Sequence, residues 1–317
     1  MTPRYTINVK GRLLAFDPPR VMGILNVTPD SFFADSRKTT EEAIARRVRQ
    51  IMDEGADIID VGACSTRPGS QPVSEQEEMA RLRTALTVIR REFASHPEET
   101  SPHLAPRTPH LAPRTSHLAP RTPHLENTPI LSVDTFRPDV ARMAVEEFGA
   151  DIINDVSEGS PAMFRMAARL AKPYILTSVQ PDLRTTLLTC ADKVQQLRDL
   201  GQKDIIIDPG FGFGKTLGQN FALLNELEKL HVLDLPLLVG ISRKSMIYKT
   251  LGCTPDEALN GTTALNTIAL MKGAAILRVH DVRQAVECIT LTAQLFKASL
   301  QPGHSPLSSH YVPTIQS

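Results

Sequence analysis

Eight short apolar runs, each ending in polar residues and followed by a helix-like segment, set the tightest limit on the fold of this chain. The runs occupy 21–27, 58–62, 130–134, 152–156, 174–177, 204–208, 237–242 and 275–280. Both of their faces are apolar, which is typical of parallel strands that are covered on each side. Amphipathic stretches between the runs include 41–54, 75–92, 138–148, 191–200, 220–230, 255–271 and 282–300. This alternation predicts an α/β fold, a (β/α)₈ TIM barrel, with an open doubly wound sheet as the alternative.

Length and composition fit a single barrel domain. The chain has 317 residues, and an α/β barrel needs roughly 250 before insertions. Hydrophobic residues make up 41% and can fill a large core, while the net charge of +0 provides no overall field for nucleic acid or an anionic membrane. We therefore expect one barrel over 1–300, a flexible Pro- and Ser-rich tail over 301–317, and a local basic cluster for any anionic ligand.

The cysteines and the apolar segments bear on the cellular compartment. Cys64, Cys190, Cys253 and Cys288 form no CxxC pair, which disfavours structural zinc and a disulfide framework. Residues 1–16 lack the apolar core of a secretory signal, and no run approaches the roughly 20 apolar residues of a membrane span. We expect a cytoplasmic protein with small-molecule substrates and without a nucleic-acid or membrane partner.

A tandem seven-residue repeat lies between the second predicted helix and the third predicted strand. Its copies, HLAPRTP or HLAPRTS, begin at His103, His110 and His117, and the pattern restarts at His124. Seven is also the period of a coiled coil, but the prolines remove amide donors and exclude a helix. We predict an extended, disordered insertion over 96–128 that leaves the barrel at the face opposite the strand ends.

Side chains that can bind a ligand follow nearly every apolar run. They are Asn26, Asp60, Asp134, Asn154 with Asp155, Asp208, Ser242 to Lys244, and Arg278 to His280. A single strand-end Asp or Asn is often only the cap of the next helix. Seven polar ends among eight strands favour a shared site instead, because the carboxyl ends of barrel strands converge on one mouth.

These side chains fall into two chemical groups. Four acceptors or mixed groups leave hydrophobic strands: Asp60, Asp134, Asn154 and Asp208. They need hydrogen-bond donors, which the 2-amino-4-oxo edge of a pterin would supply. Five basic residues form the opposite group: Arg67, Arg243, Lys244, Arg278 and His280. In a chain of zero net charge they indicate an anionic, phosphorylated end of the same substrate.

The loop over 208–216, DPGFGFGKT, resembles a Walker A loop only superficially. Pro209 stands where that motif needs its first glycine. The three glycines instead allow the backbone to pass close to a ligand, and Phe213 is placed to lie against an aromatic ring.

Taken together, the segments resemble the dihydropteroate synthase family of pterin-binding barrels. The matching segments are MGILNVTPDSF (22–32), DVG (60–62) with STRPG (65–69), SVDT (132–135), INDVS (153–157), DPGFGFGKT (208–216), GISRKSM (240–246) and RVHDV (278–282). They stand in the order of the family and span the whole predicted barrel.

The resemblance implies a reaction and a set of roles. The reaction is the displacement of diphosphate from (7,8-dihydropterin-6-yl)methyl diphosphate by 4-aminobenzoate, which gives 7,8-dihydropteroate in folate biosynthesis, a route that sulfonamides target. The implied pterin site consists of Asp134, Asn154, Asp208 and Lys244, with Phe213 beside the ring and Asp60 among the substrate-binding residues. Asn26 is the implied contact of Mg²⁺, the expected cofactor. The implied diphosphate ligands are Arg67, Arg278 and His280, and Thr66, Pro68 and Ser242 surround 4-aminobenzoate. Asp35, Arg67 and Lys244 are the implied catalytic residues.

The chain departs from the family pattern at three places. Thr177, Ser178 and Val179 replace a usual Met-His-Met stretch, so Val179 stands where a Met is expected on the pterin face. Cys64 replaces a usual acidic residue, and the first loop carries one extra residue before Asp35.

Two other functions stay open at this stage. One is a methyltetrahydrofolate:corrinoid methyltransferase barrel, which shares the pterin set but needs no diphosphate clamp such as Arg67, Lys244 and Arg278. The other is a non-catalytic pterin-binding paralogue, which the altered Met-His-Met stretch allows. Members of the family are commonly homodimers, although nothing in the sequence itself indicates a dimer.

Overall fold

The structure is a computed structural model that describes residues 5–28, 37–64, 73–94 and 129–299. The insertion predicted over 96–128 and the tail predicted over 301–317 lie outside the described residues, so both stay predictions.

Ten strands form two sheets in the described part of the chain. β1 (Thr6–Val9) and β2 (Arg12–Ala15) pair as an antiparallel hairpin. The second sheet contains β3 (Arg20–Asn26), β4 (Ile58–Gly62), β5 (Ile130–Asp134), β6 (Ile152–Asp155), β7 (Tyr174–Thr177), β8 (Ile205–Asp208), β9 (Leu238–Val239) and β10 (Ile276–Val279). Its order is β8-β7-β6-β5-β4-β3-β10-β9, and a parallel bridge between Ile207 and Leu237 joins the two ends. The eight predicted strands therefore close into the predicted (β/α)₈ barrel.

Helices follow the barrel strands. The described residues contain α1 (Arg37–Asp53), α2 (Glu75–Ala94), α3 (Pro138–Phe148), α4 (Pro161–Leu170), α5 (Leu183–Asp199), α6 (Leu217–Asn225), α7 (Ser245–Leu251), α8 (Leu259–Met271) and α9 (Val282–Ser299). A 3₁₀ helix, Leu227–Leu233, follows α6. Within this part of the chain, no helix is long and apolar enough to span a bilayer.

Several helix boundaries differ from the sequence prediction, which gave no bounds for α4 and α7. α4 begins where the Ser160 side chain accepts a hydrogen bond from the Met163 amide and Pro161 occupies the first turn. α5 begins at Leu183 instead of residue 191, because the Asp182 side chain accepts from the Thr185 amide. The predicted helix over 220–230 is divided into α6 and the 3₁₀ helix, and α8 begins four residues later than predicted.

The core has an outer and an inner part. Most buried apolar side chains lie between the strands and the surrounding helices. A smaller cluster fills the amino-terminal half of the barrel and includes Met22, Ile58, Ile130, Ile152, Ile175, Ile206, Leu238 and Ile276. The β1–β2 hairpin packs onto this cluster through Ile7, Val9, Leu14 and Phe16. The hairpin, which the sequence reasoning missed, therefore closes the bottom of the barrel.

The alternation of strand side chains turns this apolar floor into a polar mouth. A residue two positions after a floor residue points to the same face of the strand. Ile58 is thus followed by Asp60, Ile152 by Asn154 and Ile206 by Asp208. The carboxyl half of the barrel interior is consequently lined by polar side chains. α2 ends at Ala94 and β5 begins at Ile130, so the segment between them joins the barrel at the opposite face.

Candidate active site

The polar layer of the barrel interior is centred on Arg278, at the end of β10. Its Nε donates to Asp60 Oδ2 at 2.7 Å, and its Nη2 donates to Asp134 Oδ2 at 2.6 Å. Asn154 Nδ2 donates to the same Asp60 oxygen at 3.0 Å. Burial alone would lower the pKa of Arg278, but the two carboxylates outweigh it and the pKa is raised. Side chains from four strands, β4, β5, β6 and β10, therefore form one hydrogen-bonded network.

Asp60 is the more buried of the two carboxylates in this network. The residue is fully buried, whereas the side chain of Asp134 is 14% exposed. Asp60 has two donors to one oxygen, Arg278 and Asn154. Its geometry is therefore that of a support beneath Arg278 and Asn154, while its predicted role as a substrate contact stays untested.

Several buried polar atoms of this layer have no hydrogen-bond partner in the described part of the chain. They are Asp60 Oδ1, Asn154 Oδ1, Ser132 Oγ and Thr177 Oγ1. Leaving a buried acceptor unpaired costs about 1–3 kcal/mol. Such atoms are rare in proteins and indicate a place where water or a ligand supplies the missing donors. Ser132 and Thr177 were not predicted as site residues, although each stands two residues after an apolar residue of the barrel floor, Ile130 or Ile175.

Burial at the mouth disfavours the charged form of two of its carboxyl groups, and so raises their pKa values. Burial raises the pKa of Asp134 to about 7, Arg278 opposes this shift, and the charge of Asp60 adds to it. Burial also raises the pKa of Asp208, with Lys244 opposing. Asp134 therefore needs hydrogen-bond donors or nearby cations in order to remain ionised near neutral pH.

Lys244 and Phe213 form the second part of the site. Lys244 Nζ donates to the Phe211 carbonyl and lies 4.4 Å from the centroid of the Phe213 ring. Burial lowers the pKa of Lys244 to about 8, and the charge of Asp208 opposes this shift. A Cβ at Gly212 would lie 2.9 Å from Lys244 Cδ, and the φ of +82° at this position also favours glycine. The structure thus places Lys244, Phe213 and Asp208 together, as the sequence predicted.

Ser242 and His280 lie beside each other at the ends of β9 and β10. Ser242 Oγ is 3.2 Å from His280 Nδ1, and the His280 amide donates to the same Oγ at 3.2 Å. Burial lowers the pKa of His280 to about 4, and the charges of Arg278 and Arg243 act in the same direction. A pKa of about 4 favours the neutral imidazole at physiological pH.

Arg47, on α1, is a contact that the sequence reasoning missed. Its Nη2 donates to the His280 carbonyl at 2.6 Å, and the guanidinium is half-buried. Nothing in the local pattern of a surface helix distinguishes this arginine from its neighbours Arg46 and Arg49. It adds positive charge behind the strand-end segment 278–280.

Two strand-end groups have partners that draw them away from the mouth. Arg243 donates to Asp281 at 2.6 and 3.0 Å and to Asp256 at 3.0 Å, with a positive φ of 55°. Asp155 accepts from Tyr174 Oη and from Ser157 Oγ, each at 2.6 Å. Arg243, a member of the predicted basic group, is therefore paired with two carboxylates outside the Arg278 network.

The remaining predicted residues are only partly described. Asn26 ends β3 at the mouth and is half-buried. Asp35, Thr66, Arg67 and Pro68 lie outside the described residues, so their roles stay predictions. Within the part of the chain that the structure describes, no three His, Cys, Asp or Glu side chains are grouped as a metal cage.

Val179, where the family has a Met, is half-buried beyond the end of β7. Its amide donates to Glu158 Oε1 at 3.2 Å. The backbone of this segment is thus held in place even though its side chains differ from the family pattern.

A closed barrel whose carboxyl-terminal mouth is polar and whose floor is apolar defines a (β/α)₈ enzyme with a small-molecule site at the strand ends. A family model described as pterin binding enzyme matches residues 22–97 and 114–280.

Individual relatives show which family within this class of enzymes the chain resembles. A dihydropteroate synthase of Escherichia coli K12 is 34% identical over 307 residues, which cover 91% of this chain and 96% of the relative. One from Streptococcus pyogenes serotype M18 is 36% identical and covers 90% and 98%. A solved Xanthomonas albilineans dihydropteroate synthase with 4-aminobenzoic acid has a TM-score of 0.75, 34% identity, and coverage of 93% and 99%. Another structure of that enzyme, in complex with 7,8-dihydropteroate, has a TM-score of 0.73, 33% identity, and the same coverage of 93% and 99%. The chain belongs to the dihydropteroate synthase family.

Proposed function

We propose that this protein condenses (7,8-dihydropterin-6-yl)methyl diphosphate with 4-aminobenzoate to give 7,8-dihydropteroate and diphosphate. The observation that carries the proposal is the shared network of Arg278, Asp60, Asp134 and Asn154, with Lys244 and Phe213 beside it. One end of this site is rich in acceptors and the other in cations. The named relatives carry the same activity in their names, and two solved neighbours contain 4-aminobenzoic acid and 7,8-dihydropteroate.

The pterin head is assigned to the acceptor end. Asp134, Asn154 and Asp208 offer oxygen atoms to the adjacent N–H groups of the heterocycle, and the unpaired Asn154 Oδ1 is one of these acceptors. Lys244 supplies a donor for a ring acceptor, and the Phe213 ring borders the same space. The N–H donors of a bound pterin would favour the ionised form of Asp134, whose pKa burial raises.

The diphosphate is assigned to Arg278, His280 and Arg67. Arg278 already has two carboxylate partners, so it presents a guanidinium with its orientation fixed. The neutral His280 offers a hydrogen bond instead of a full charge. Thr66, Pro68 and Ser242 are assigned to 4-aminobenzoate, which places sulfonamides, as mimics of that substrate, in the same space.

Mg²⁺ fits this donor set only as a partner of the substrate. Asn26 offers a single amide oxygen at the mouth, and Mg²⁺ is usually held by one or two protein oxygens together with substrate phosphates and water. When bound, the metal would offset negative charge on the departing diphosphate.

The proposed chemistry needs no covalent bond to the enzyme. The bond between the pterin methylene carbon and the diphosphate oxygen breaks, and the electron pair leaves with the diphosphate. The arylamine nitrogen then forms the new C–N bond and loses a proton. Because an aniline nitrogen is a weak nucleophile, Arg278 and the other cations act chiefly by stabilising the leaving group. Asp35 is proposed to stabilise the cationic pterin that forms transiently.

One assay tests the proposal against both alternatives. The protein is incubated with the dihydropterin diphosphate, 4-aminobenzoate and Mg²⁺, and released diphosphate is measured. Release that depends on both substrates supports the synthase. A methyltransferase or a non-catalytic pterin-binding protein releases no diphosphate in this assay. The absence of release therefore refutes the proposal. A cytoplasmic location and the absence of nucleic-acid partners belong to the same proposal.

A further inference from the structure

The loop 208–216 and the segment 178–180 touch through their backbones. A Cβ added at Gly210 would overlap the Ser178 carbonyl oxygen, and one at Gly214 would lie 2.6 Å from the Val179 carbonyl oxygen. Both glycines also have positive φ angles, +71° and +61°. Residues with a Cβ rarely adopt this backbone conformation. The two backbones can therefore approach this closely only because neither glycine has a side chain.

Three carbonyl oxygens converge at this contact on a single cation. Lys215 Nζ donates to Ser178 O at 3.2 Å, to Gly210 O at 3.1 Å and to Phe213 O at 3.2 Å. An ammonium group has three donors, so these bonds use its full capacity. Without the lysine, three partial negative charges would face one another in a half-buried space. Lys215 is thus the link that allows the two segments to lie together.

The far side of segment 178–180 is anchored independently. Glu158 Oε1 accepts from the Val179 amide at 3.2 Å and from Gln180 Nε2 at 2.7 Å. Lys193 Nζ donates to the Glu158 carbonyl at 2.7 Å and lies 3.3 Å from its carboxylate. Because this segment is fixed, the bonds from Lys215 hold the loop 208–216 to a rigid support.

The loop in turn shapes the pterin end of the site. Phe211 provides the carbonyl that accepts from Lys244, Gly212 lies against the lysine stem, and Phe213 places its ring over the ammonium. The Gly212 amide is fixed by Asn220 Oδ1 at 2.7 Å. Any movement of the loop would therefore displace Phe213 and the partner of Lys244 together.

We infer that Lys215 is a positioning residue for the pterin half of the site, acting through the loop 208–216. This inference rests on the proposed function. It assigns to Lys215 no contact with substrate, because its three donors are already used by backbone carbonyls. Its effect should fall on the pterin substrate and spare 4-aminobenzoate, which is assigned to other residues.

The test compares wild type with Lys215→Met, which keeps the apolar stem but removes the donors. Calorimetric titration with the dihydropterin diphosphate and Mg²⁺ gives its Kd, and turnover gives separate KM values for the two substrates. We expect Kd and KM for the pterin to rise about tenfold, equivalent to about 1.4 kcal/mol, with less than a twofold change for 4-aminobenzoate. Lys203→Met is the matched control: this exposed lysine precedes β8 at the other end of the barrel and should leave all constants unchanged.

The outcomes separate positioning from a general structural role. A pterin Kd equal to that of wild type overturns the inference, and so does an equal rise in both KM values. A fall in kcat alone, with both KM values unchanged, would mean that only the fraction of folded enzyme had decreased, which also overturns it. If Lys215→Met does not fold, Lys215→Arg is measured, for which a selective rise in pterin KM is expected. Failure of both variants to fold would make Lys215 a folding residue and refute the assignment.

The proposed function is refuted by a different result from the one that refutes the role of Lys215. If wild type binds the pterin but releases no diphosphate, the synthase activity is refuted, while the binding comparison of the variants still decides the role of Lys215.

Discussion

Replacing Asp60 tests whether a buried carboxylate organises the pterin end of the site. Asp60→Ala removes the acceptor of Arg278 Nε at 2.7 Å and of Asn154 Nδ2 at 3.0 Å. Asp60 is fully buried and the Arg278 side chain is only 17% exposed. Removing one partner of such a buried pair costs about 3–5 kcal/mol. Asp60→Asn keeps an acceptor oxygen and should lower the free energy of unfolding by only about 1–2 kcal/mol.

The more specific consequence of Asp60→Asn concerns Asp134. Burial raises the pKa of Asp134 to about 7, Arg278 opposes the shift, and the negative charge of Asp60 adds to it. Removing that negative charge must lower the pKa of Asp134. If the pterin needs the ionised carboxylate, wild-type binding strengthens as pH rises towards about 7, and the variant should reach full binding at a lower pH.

The assays are urea denaturation without ligand and pterin Kd measured from about pH 5 to 9, a range that spans both the Asp134 and Lys244 transitions. Asp57→Asn is the matched control, because Asp57 pairs with Arg20 at 3.1 Å near the opposite end of the barrel. Asp57→Asn should lower the free energy of unfolding without shifting the pH dependence of the pterin Kd. The reasoning is refuted if the pH dependence of the pterin Kd on the acid side is the same in Asp60→Asn as in wild type, or if it shifts equally in Asp57→Asn.

Three further perturbations are informative. Val179→Met should tighten pterin binding about two- to fivefold in calorimetry by restoring contact area, and unchanged affinity would contradict the alignment at that position. Lys244→Ala should raise the pterin Kd at least about tenfold with little change in melting temperature, and an equal loss of both would make the lysine structural. Deleting 103–123 should leave turnover intact, since Ala94 and Pro129 flank the insertion at the amino-terminal end of the strands; a large loss in a folded deletion protein would contradict this.

The strands could be predicted from sequence because burial on both faces leaves a continuous apolar run. All eight predicted barrel strands are present, although β9 is reduced to Leu238–Val239. The hairpin β1–β2 was missed because each of its strands is only four residues long, which leaves little alternation to detect. Only the tertiary structure shows that Ile7 and Leu14 pack on the barrel floor.

The helices were less predictable because their starts depend on single capping side chains. Ser160 and Asp182 determine where α4 and α5 begin, and neither belongs to an amphipathic pattern. A seven-residue helix such as α7 contains too few turns to show a period.

The rim residues could be predicted because each directly follows an apolar run. Their partners could not be predicted, because they come from distant parts of the chain: Arg278 reaches Asp60 across 218 positions and Arg47 reaches the His280 carbonyl across 233. Lys215 was visible in sequence only as part of a Walker-like string. Its three carbonyl partners belong to two loops, and only the folded backbone brings them together.

Stability and binding make opposite demands on the mouth of this barrel. Burial in the fold raises the pKa of Asp134 from its ordinary value to about 7. Because the folded pKa is the higher one, its contribution to stability is fully present below about pH 4 and is lost as pH rises through about 7. The unpaired Asp60 Oδ1 and Asn154 Oδ1 add a further cost. A ligand edge with several N–H donors would relieve both costs at once. Under the proposed function, the selectivity of the site for a donor-rich heterocycle comes from these buried carboxyl and amide oxygens.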